Sequence, residues 1–538
     1  MKRYAKIAGT GLVVGALFVG AAWAGGGLVP VDLSASDTEA SDAVSGELEQ
    51  RLADAATSLR VAQEGGGTEV LEPGTGQVLA GAAKVSMEPR PAEYNGVWEK
   101  EGCETFGGDA PGDVTHYPDF RVRWPENPNC IYMGGYGIGP MNAITEWTDP
   151  YGLWVRSVAI GDGTDTIVLT IVDGVYYFGE YVNMCDGCGF FDLAQELGGE
   201  LQIDPDGFLF ATTHSHTSPD FIGGWGGVPD WYFRQVADAI RQSVTEAVAS
   251  MRPGIIEMGD VLARARNGER RDNYRSAEDN SLSWFRIIDA ASAASMPKAI
   301  ATVGGYSAHP VTADAGPGIA DGDFPGVFNA RVEDRFGGVG LFFQAGFGNV
   351  SPRGNKVEMG EGLANLIPDS GGGTMLDNTD VRSAQAFWDQ PVTNSGLTAL
   401  GAPGFFDRPF AQAPSQVAAG KNADKPCRSA SGTTVNTAVS AAKVGNLWIT
   451  GAPGEIFSNY SNTVEERNPN GVTMALSLVN DGLGYIMQSF ETDHGGRQGL
   501  GFVAGELNNV VEYEDAYSID HCFGDMALET TLGLLGGL

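Results

Sequence analysis

Basic residues are scarce in this chain: 33 Lys and Arg stand against 68 Asp and Glu, a formal net charge of −35. That deficit excludes a nucleic-acid partner, because phosphate binding needs clustered Lys and Arg. It also disfavours purely electrostatic adsorption to an anionic membrane. Such acidity keeps an exported protein soluble and says nothing about substrate. Cysteine is sparse too. Six cysteines allow at most three disulfides, with about 15 pairings. Cys185 and Cys188 form a lone CDGC. No second CxxC exists to make a zinc knuckle, and no thioredoxin-like context supports redox chemistry, so this pair reads as a local structural bridge. Histidine numbers only six, which makes each one conspicuous.

What is present is a core. Hydrophobic content of 42%, with 10 Trp, 16 Tyr and 25 Phe, excludes general disorder, and 77 Gly with 27 Pro imply many turns between short elements. Residues 1–24 read as a signal peptide: Lys2, Arg3 and Lys6 precede an apolar run, Leu12 to Val19, and Ala22 and Ala24 supply a cleavage site. The run falls short of the roughly 20 residues a membrane span needs. No Cys follows it, which disfavours a lipoprotein anchor, so the mature chain is expected to be secreted or periplasmic. Residues 25–80 hold ten acidic residues, two Arg, no Lys and no aromatic residue. They read as a flexible acidic leader with one short helix near Glu47 to Arg60. Residues 81–538 then form the folded body, without internal repeats.

Strand–loop–helix units follow one another in that body. Thr166 to Tyr177 and Phe208 to Thr213 are apolar, β-branched or aromatic runs and predict buried strands. Asp230 is placed to cap a helix running to about Met251, with Val236, Ile240, Val244 and Ala247 on one face. Ala301 to Ser307, Gly340 to Gln344 and Leu447 to Thr450 are further strands, each followed by a loop with a polar residue of interest. The expected fold class is α/β, with mixed sheets flanked by helices and a site at strand ends.

His214 and His216 follow the second of those strands. An extended segment turns residues i and i+2 to the same side, so both imidazoles converge just beyond the strand end. A single histidine is more often a hydrogen-bonded structural group. A converging pair favours a metal, for which neutral imidazole is a ligand. Thr217 and Ser218 follow instead of the Asp-His of an HxHxDH hydrolase pattern. His309, after the strand ATVGGYS, enters a loop with Asp314, Asp321 and Asp323, where a His-Pro turn is as readily structural as functional. Glu455 follows a Gly-Ala-Pro-Gly turn, where a carboxylate at a helix N-terminus is commonly only a dipole partner. Ser351 lies in a Gly-rich turn after LFFQ, with no GxSxG elbow around it. Phe221 and Trp225, on the loop after the histidine pair, either pack the next helix or line an apolar mouth for acyl chains.

The order of these pieces carries more than any one of them. THSHTSPD, SAHPVTA with DGDFPG, GNVSP, GAPGE and NDGLGYI together resemble the catalytic domain of the neutral/alkaline (non-lysosomal) ceramidases. AGAAKVSMEP is similar to that family's domain start, and EWTDPYGLWVRSVAI to one of its strands. The resemblance runs from about Leu79 to the C-terminus. It implies a mixed α/β fold and one Zn²⁺ per chain held by His214, His309, Glu455 and Tyr485, with His216 beside the metal. Ser351 would stand at the scissile carbonyl, and Tyr513 would hydrogen-bond the amide. Arg270 and Arg271 are the candidates for a site arginine, with Arg270 taken first. Zinc lowers the pKa of a bound water to about 7 and polarises a carbonyl. The nucleophile is then either Ser351, with the Gly348–Ser351 backbone amides as oxyanion donors, or that water.

The implied activity is hydrolysis of the N-acyl amide of ceramide to sphingosine and fatty acid, with a transient membrane-surface contact on the way to the substrate. A zinc hydrolase of another amide or ester, and an exported binding protein that keeps the fold, are the competing readings. Four departures from the family pattern bear on substrate more than on metal. Arg353 stands where Asn follows the Ser-Pro, residues 354–378 replace a cysteine-containing region, and insertions fall at 92–131 and between Tyr485 and Tyr513.

Overall fold

The computed structural model describes residues 73–100, 103, 129–135, 142–147, 151–182, 184–271, 277–293, 296–313, 318–394, 397–398, 407–412, 432–492 and 513–538. The signal peptide and nearly all of the acidic leader, with its short helix, lie outside them, as do most of 92–131, Asp314 and the insertion at 493–512. Among the described residues no helix is long and apolar enough to cross a membrane.

In chain order the elements that shape the site are β1 Val78–Ser86, β2 Trp154–Gly161, β3 Thr166–Val172, α1 Phe190–Leu201, β4 Phe208–Thr212 and α2 Asp230–Ala249. There follow β5 Arg252–Leu262, β6 Asn267–Glu269, β7 Ser281–Asp289, β8 Ala299–Tyr306, α3 Asp323–Phe336 and β9 Val339–Gln344. Next come β10 Val350–Pro352, α4 Lys356–Ala364, β11 Val381–Pro391, β12 Thr433–Val444, β13 Leu447–Gly451 and β14 Glu455–Ile456. The last are α5 Ser458–Glu465, β15 Val472–Leu476, β16 Tyr485–Ile486, α6 Tyr513–Ala516 and α7 Phe523–Gly537.

A large mixed sheet runs in the order β9-β8-β7-β5-β1-β2-β3-β4. Its two outer pairs, β9/β8 and β3/β4, are parallel, while the inner neighbours are antiparallel. A second sheet has the order β11-β12-β13-β15. Apolar residues of both sheets, among them Ile287, Val303, Leu341, Ala442, Ile449 and Met474, interleave in one core. The outer face of the first sheet is covered by α1 and α2, through Leu193, Val236, Ile240 and Val244, and by α3 and α4, through Phe328 and Met359. The second sheet is covered by α5 and α7, through Tyr460, Val464, Ala527 and Leu528. The result is helix, sheet, sheet, helix in four layers, each element burying one face against the next. The expected α/β class with mixed sheets flanked by helices is what the chain adopts.

The strands expected from the sequence are present, with changes that matter at the edges. The body begins at Val78, inside the stretch read as leader, because Leu79 already pairs with Gly161. The strand expected through Tyr177 stops at Val172. There the buried Asp173 carboxylate takes the Trp154 N–H at 2.8 Å and the Arg156 guanidinium at 3.2 Å, which turns the chain out of the sheet. Asp230 is the first residue of α2, not its cap; Pro229 holds that place. The replacement segment 354–378 contributes α4, whose first turn is closed by an Asn355–Glu358 capping box. Cys103–Cys130 and Cys185–Cys188 are disulfides, the second as expected, and Cys522 is disulfide-bonded to a partner outside the described residues.

One buried ion pair ties the two sheets to the segment before the site. Arg408 Nη2 lies 2.7 Å from Asp481 Oδ2, both fully buried, and Arg408 Nη1 lies 2.9 Å from Glu180. Asp481 also accepts from Gly179 N–H at 3.0 Å and from Thr437 at 2.9 Å. Removing one partner of such a pair strands the other charge in low dielectric. Arg408→Met is therefore expected to lower unfolding stability by about 3–5 kcal/mol, read by urea denaturation. A loss below about 1 kcal/mol would show that the pair contributes little.

Candidate metal centre

Three loops that leave strand ends converge on one buried point. The first leaves β4 at Thr213, where the Gln344 amide at the end of β9 donates to the Thr213 carbonyl at 3.0 Å and joins the two sheet edges. His214 follows with φ 61°, a left-handed backbone that a non-glycine residue holds only where its surroundings enforce it. Its N–H donates to Gly174 O at 2.9 Å, and the turned conformation aims its ring inward. The second loop leaves β8 and carries His309. The third leaves β13 and carries Glu455, whose N–H donates to Gly484 O at 2.8 Å and which pairs with Tyr485 in the short β14/β16 ribbon.

His214, His309 and Glu455 are almost wholly buried, and their donor atoms all lie within 4.8 Å of one another. His309 Nε2 is 3.0 Å from Glu455 Oε2, and His214 Nε2 is 3.8 Å from the same oxygen. Both rings are oriented by their other nitrogen: His214 Nδ1 donates to Val175 O at 2.8 Å and His309 Nδ1 to Val350 O at 2.9 Å. A carbonyl only accepts, so each Nδ1 carries the proton and each Nε2 presents a lone pair to the centre. Four ligands at about 2.0 Å around a tetrahedral Zn²⁺ lie about 3.3 Å apart, which these separations bracket. The residues fit a divalent metal of zinc's kind.

The electrostatics agree. Burial pushes the His214 pKa from 6.5 down to about 4, against the pull of the Glu455 charge. Burial and then Arg270 lower His309, and burial together with the other two histidines lowers His216 well below its usual range. Burial would raise Glu455, but in acid, where the two imidazoles are protonated, the His214 charge, a hydrogen bond from His309 and the one from Tyr176 bring it down to about 2. At neutral pH the centre thus offers one carboxylate and neutral imidazoles.

Around this trio stand the other residues picked out in the sequence. His216 Nε2 is 3.4 Å from His214 Nε2 but is not one of the three converging donors. Arg270 Nη1 is 3.3 Å from His309 Nε2, its Nη2 donates to the Tyr485 hydroxyl at 2.8 Å, and its Nε is 2.6 Å from Glu514. Of the two arginines, then, Arg270 faces the centre. Arg271 is held by Asp515 at 3.0 Å and by Glu491 O at 3.0 Å. Ser351 sits on β10, paired with Gly268 of β6, one residue from the carbonyl that orients His309. Tyr513 opens α6, but its side chain lies outside the described residues.

One expectation is corrected and one pair of alternatives is decided. The Gly348 and Val350 amides are not oxyanion donors, because they already donate to Ile456 O at 2.9 Å and Phe347 O at 3.0 Å. Phe221 lines no acyl mouth: it is fully buried among Tyr177, Tyr232 and Phe233. Trp225 does remain beside the site, stacked on Tyr176 with centroids 6.3 Å apart. The loop aspartates are structural. Asp321 pairs with Lys356, and Asp323 accepts from the Thr312 and Ala313 N–H groups at 2.7 Å.

Three contributors carry no sequence motif of their own. The Tyr176 hydroxyl donates to Glu455 Oε1, although the run around it reads as strand. Glu514 is an ordinary acidic residue beside Tyr513 until its contact with Arg270 is seen. Gly135, with φ 95°, lies against the His216 ring, where an added Cβ would come within 2.3 Å of it. A second cluster, Asp520, His521 and Cys522, is no metal site, since the Cys522 sulfur is committed to a disulfide.

The chain is thus an α/β protein whose sheet edges join over a buried His-His-Glu donor set. Solved structures of that fold are neutral ceramidases. The structure titled neutral ceramidase from Pseudomonas aeruginosa has a TM-score of 0.57 and 14% identity over 86% of this chain and 75% of that one. A ceramidase complexed with C2 gives a TM-score of 0.56 and 14% identity over 86% of this chain and 76% of its own. No protein-family model and no curated protein sequence matches the chain.

Two outcomes follow for the centre. Protons compete with a metal only below the folded-state histidine pKa. Metal content after equilibration is therefore expected to stay level from pH 7 to about 5.5, where an ordinary histidine of pKa about 6.5 is mostly protonated. His309→Ala should leave less than about a tenth of the metal, and wild-type loss with a midpoint near pH 6.5 would contradict the shifts. In the metal-free protein the unfolded chain binds protons that the folded chain refuses. Stability is then complete above about pH 6.5 and falls as pH drops towards about 4. Separately, Gly135→Ala should displace the His216 ring and cut turnover by roughly 10²-fold while the metal stays bound. Unchanged turnover would remove His216 from the chemistry.

Proposed function

We propose that this protein is an exported, zinc-dependent amidohydrolase that cleaves the N-acyl bond of ceramide or a related lipid amide. The observation that carries the reading is the set of inward-facing lone pairs of His214, His309 and Glu455, in a fold whose solved examples are ceramidases. Among metals, two imidazoles and a carboxylate with an open position suit zinc. The disulfides support an oxidising compartment, and the C2 complex of a structural neighbour supports a lipid amide as ligand.

His214, His309 and Glu455 would hold the ion, with Tyr485 as a fourth ligand. When bound, the ion supplies Lewis acidity and lowers the pKa of water at the site. The chain's own residues do the rest. Ser351 stands on the β6/β10 ribbon on the same side as Gly268, its cross-strand partner, and Arg270, which follows β6 directly. Its hydroxyl is the nucleophile placed at the acyl carbon. Because the Gly348 and Val350 amides are spent on backbone carbonyls, Arg270 would be a cation facing a developing oxyanion. His216, neutral at working pH, is the group to take the nucleophile's proton and return it to the leaving amine. Tyr513 would hydrogen-bond the amide. Ser351 Oγ bonds the acyl carbon as the C–N bond breaks and the amine leaves with the serine's proton; water then cleaves that ester, its hydroxyl going to the fatty acid and its proton back to Ser351.

Metal-loaded wild type is expected to release fatty acid and sphingosine from ceramide, with loss on chelation. Ser351→Ala should fall by at least about 10³-fold while retaining about one metal per chain. Metal without ceramide turnover would turn the search to other amides and esters. A metal-loaded protein silent on every amide and ester would be a binding protein.

A further inference from the structure

Arg353 stands where the ceramidase-like pattern has Asn, and the structure shows what that exchange builds. A cavity of about 460 Å³, open to solvent, is lined by Arg264, Ala265, Arg266, Arg353 and Glu358. Three arginines thus meet at one opening in a chain whose acidic residues outnumber its basic ones two to one. Ala265 holds a left-handed φ of 66°, a strained turn for alanine that places an arginine on either side of it at the cavity wall. Arg266 Nη1 donates to Glu358 O at 2.7 Å, and the Glu358 carboxylate accepts from Asn355 N–H at 3.3 Å in the helix cap. Among the described residues no carboxylate lies within ion-pair distance of Arg264 or Arg353.

The cavity adjoins the reacting serine. A Cβ built on Gly268 would lie 2.1 Å from Arg353 Nη2, so the guanidinium lies across Gly268. Gly268 is the cross-strand partner of Ser351. Paired residues on one ribbon face have Cβ positions about 5 Å apart, which puts the Arg353 fork about one amide group from the Ser351 side chain. Any side chain at position 268 would displace it.

We propose that this cavity is the subsite for an acidic group on the amine half of the substrate. It would accept N-acyl compounds that carry a carboxylate, sulfonate or phosphate within two or three bonds of the amide nitrogen. A planar guanidinium fork suits such groups by paired hydrogen bonds. The acyl half needs an apolar wall, which an arginine-lined cavity is not, so the cavity faces the amine half. This rests on the amidohydrolase reading and singles out, among its related lipid amides, anionic ones that are cleaved faster than uncharged amides.

The test compares N-lauroylglycine with N-lauroylethanolamine, which differ in carboxylate against hydroxymethyl. Metal-loaded wild type is expected to favour the glycine conjugate in kcat/KM by about 10- to 100-fold. Arg353→Ala should erase that preference, losing at least ten-fold more on the glycine conjugate than on the ethanolamide, and Arg353→Lys should restore part of it. A wild type that prefers the ethanolamide, or an Arg353→Ala loss equal on both, would overturn the proposal. If neither amide is cleaved, the amidohydrolase reading has failed and calorimetric binding of inorganic phosphate to the metal-loaded chain decides the cavity. Binding by wild type that is lost in the Arg264→Ala/Arg353→Ala double variant supports an anion subsite. No binding, or equal binding by both proteins, rejects it.

Discussion

Three electron-pair donors, the Nε2 atoms of His214 and His309 and a carboxylate oxygen of Glu455, face one another in a dry interior with their protons turned away. Lone pairs at about 3 Å repel unless a cation stands among them. Much of the surrounding architecture holds that arrangement against its own repulsion. The two Nδ1 protons are tied to backbone carbonyls, His214 is kept in a left-handed backbone, and Glu455 is pinned through its N–H to Gly484. The four-layer body supplies the rigidity, since the three loops start from strands buried on both faces.

Charge is arranged around the centre in a second ring. Arg270 faces His309 and Tyr485 from one side, and Glu514 holds that guanidinium from behind. Arg271, its neighbour, turns the opposite way to Asp515 and rests over the Phe457 ring at 5.3 Å. Two adjacent arginines therefore anchor the short helix α6 from two directions. That docking brings a segment near the C-terminus against the metal centre, and it explains why residues far apart in sequence share one site.

Much of this is legible in the residues alone. A histidine pair just past a strand end locates the centre, although His214 reaches it from a left-handed and not an extended backbone, and the ordered motifs bring His309 and Glu455 to it. Other parts are not legible, for physical reasons. Tyr176 reads as strand because TIVLTIVDGVYY is almost uniformly apolar or aromatic. Only the buried Asp173 carboxylate, with partners in another strand, ends that strand early. The oxyanion role fails for the Gly348 and Val350 amides, because a Gly-rich turn reveals nothing about where its N–H groups point. Arg270 and Arg271 are inseparable by sequence, since both lie near Glu514 and only the contacts of Arg270 with His309 and Tyr485 show which one faces the centre. Phe221 is an aromatic near a site that simply packs, one of the two readings its sequence position allows.

At 14% identity the chain shares a fold with solved neutral ceramidases, and its buried donor set and its rim lie in very different surroundings. The donors and their orienting carbonyls lie in the deep core, where a change of one residue leaves a buried lone pair or charge without a partner. The β6/β10 ribbon lies at the rim, where Arg353 reaches over Gly268 and the turn at Ala265 opens a basic cavity. Rim residues exchange at little cost to folding, because solvent satisfies whatever they leave unpaired. A buried donor set and an exposed rim are thus separately adjustable, and the arginine beside Ser351 is one of the places where the sequence departs from the ceramidase-like pattern.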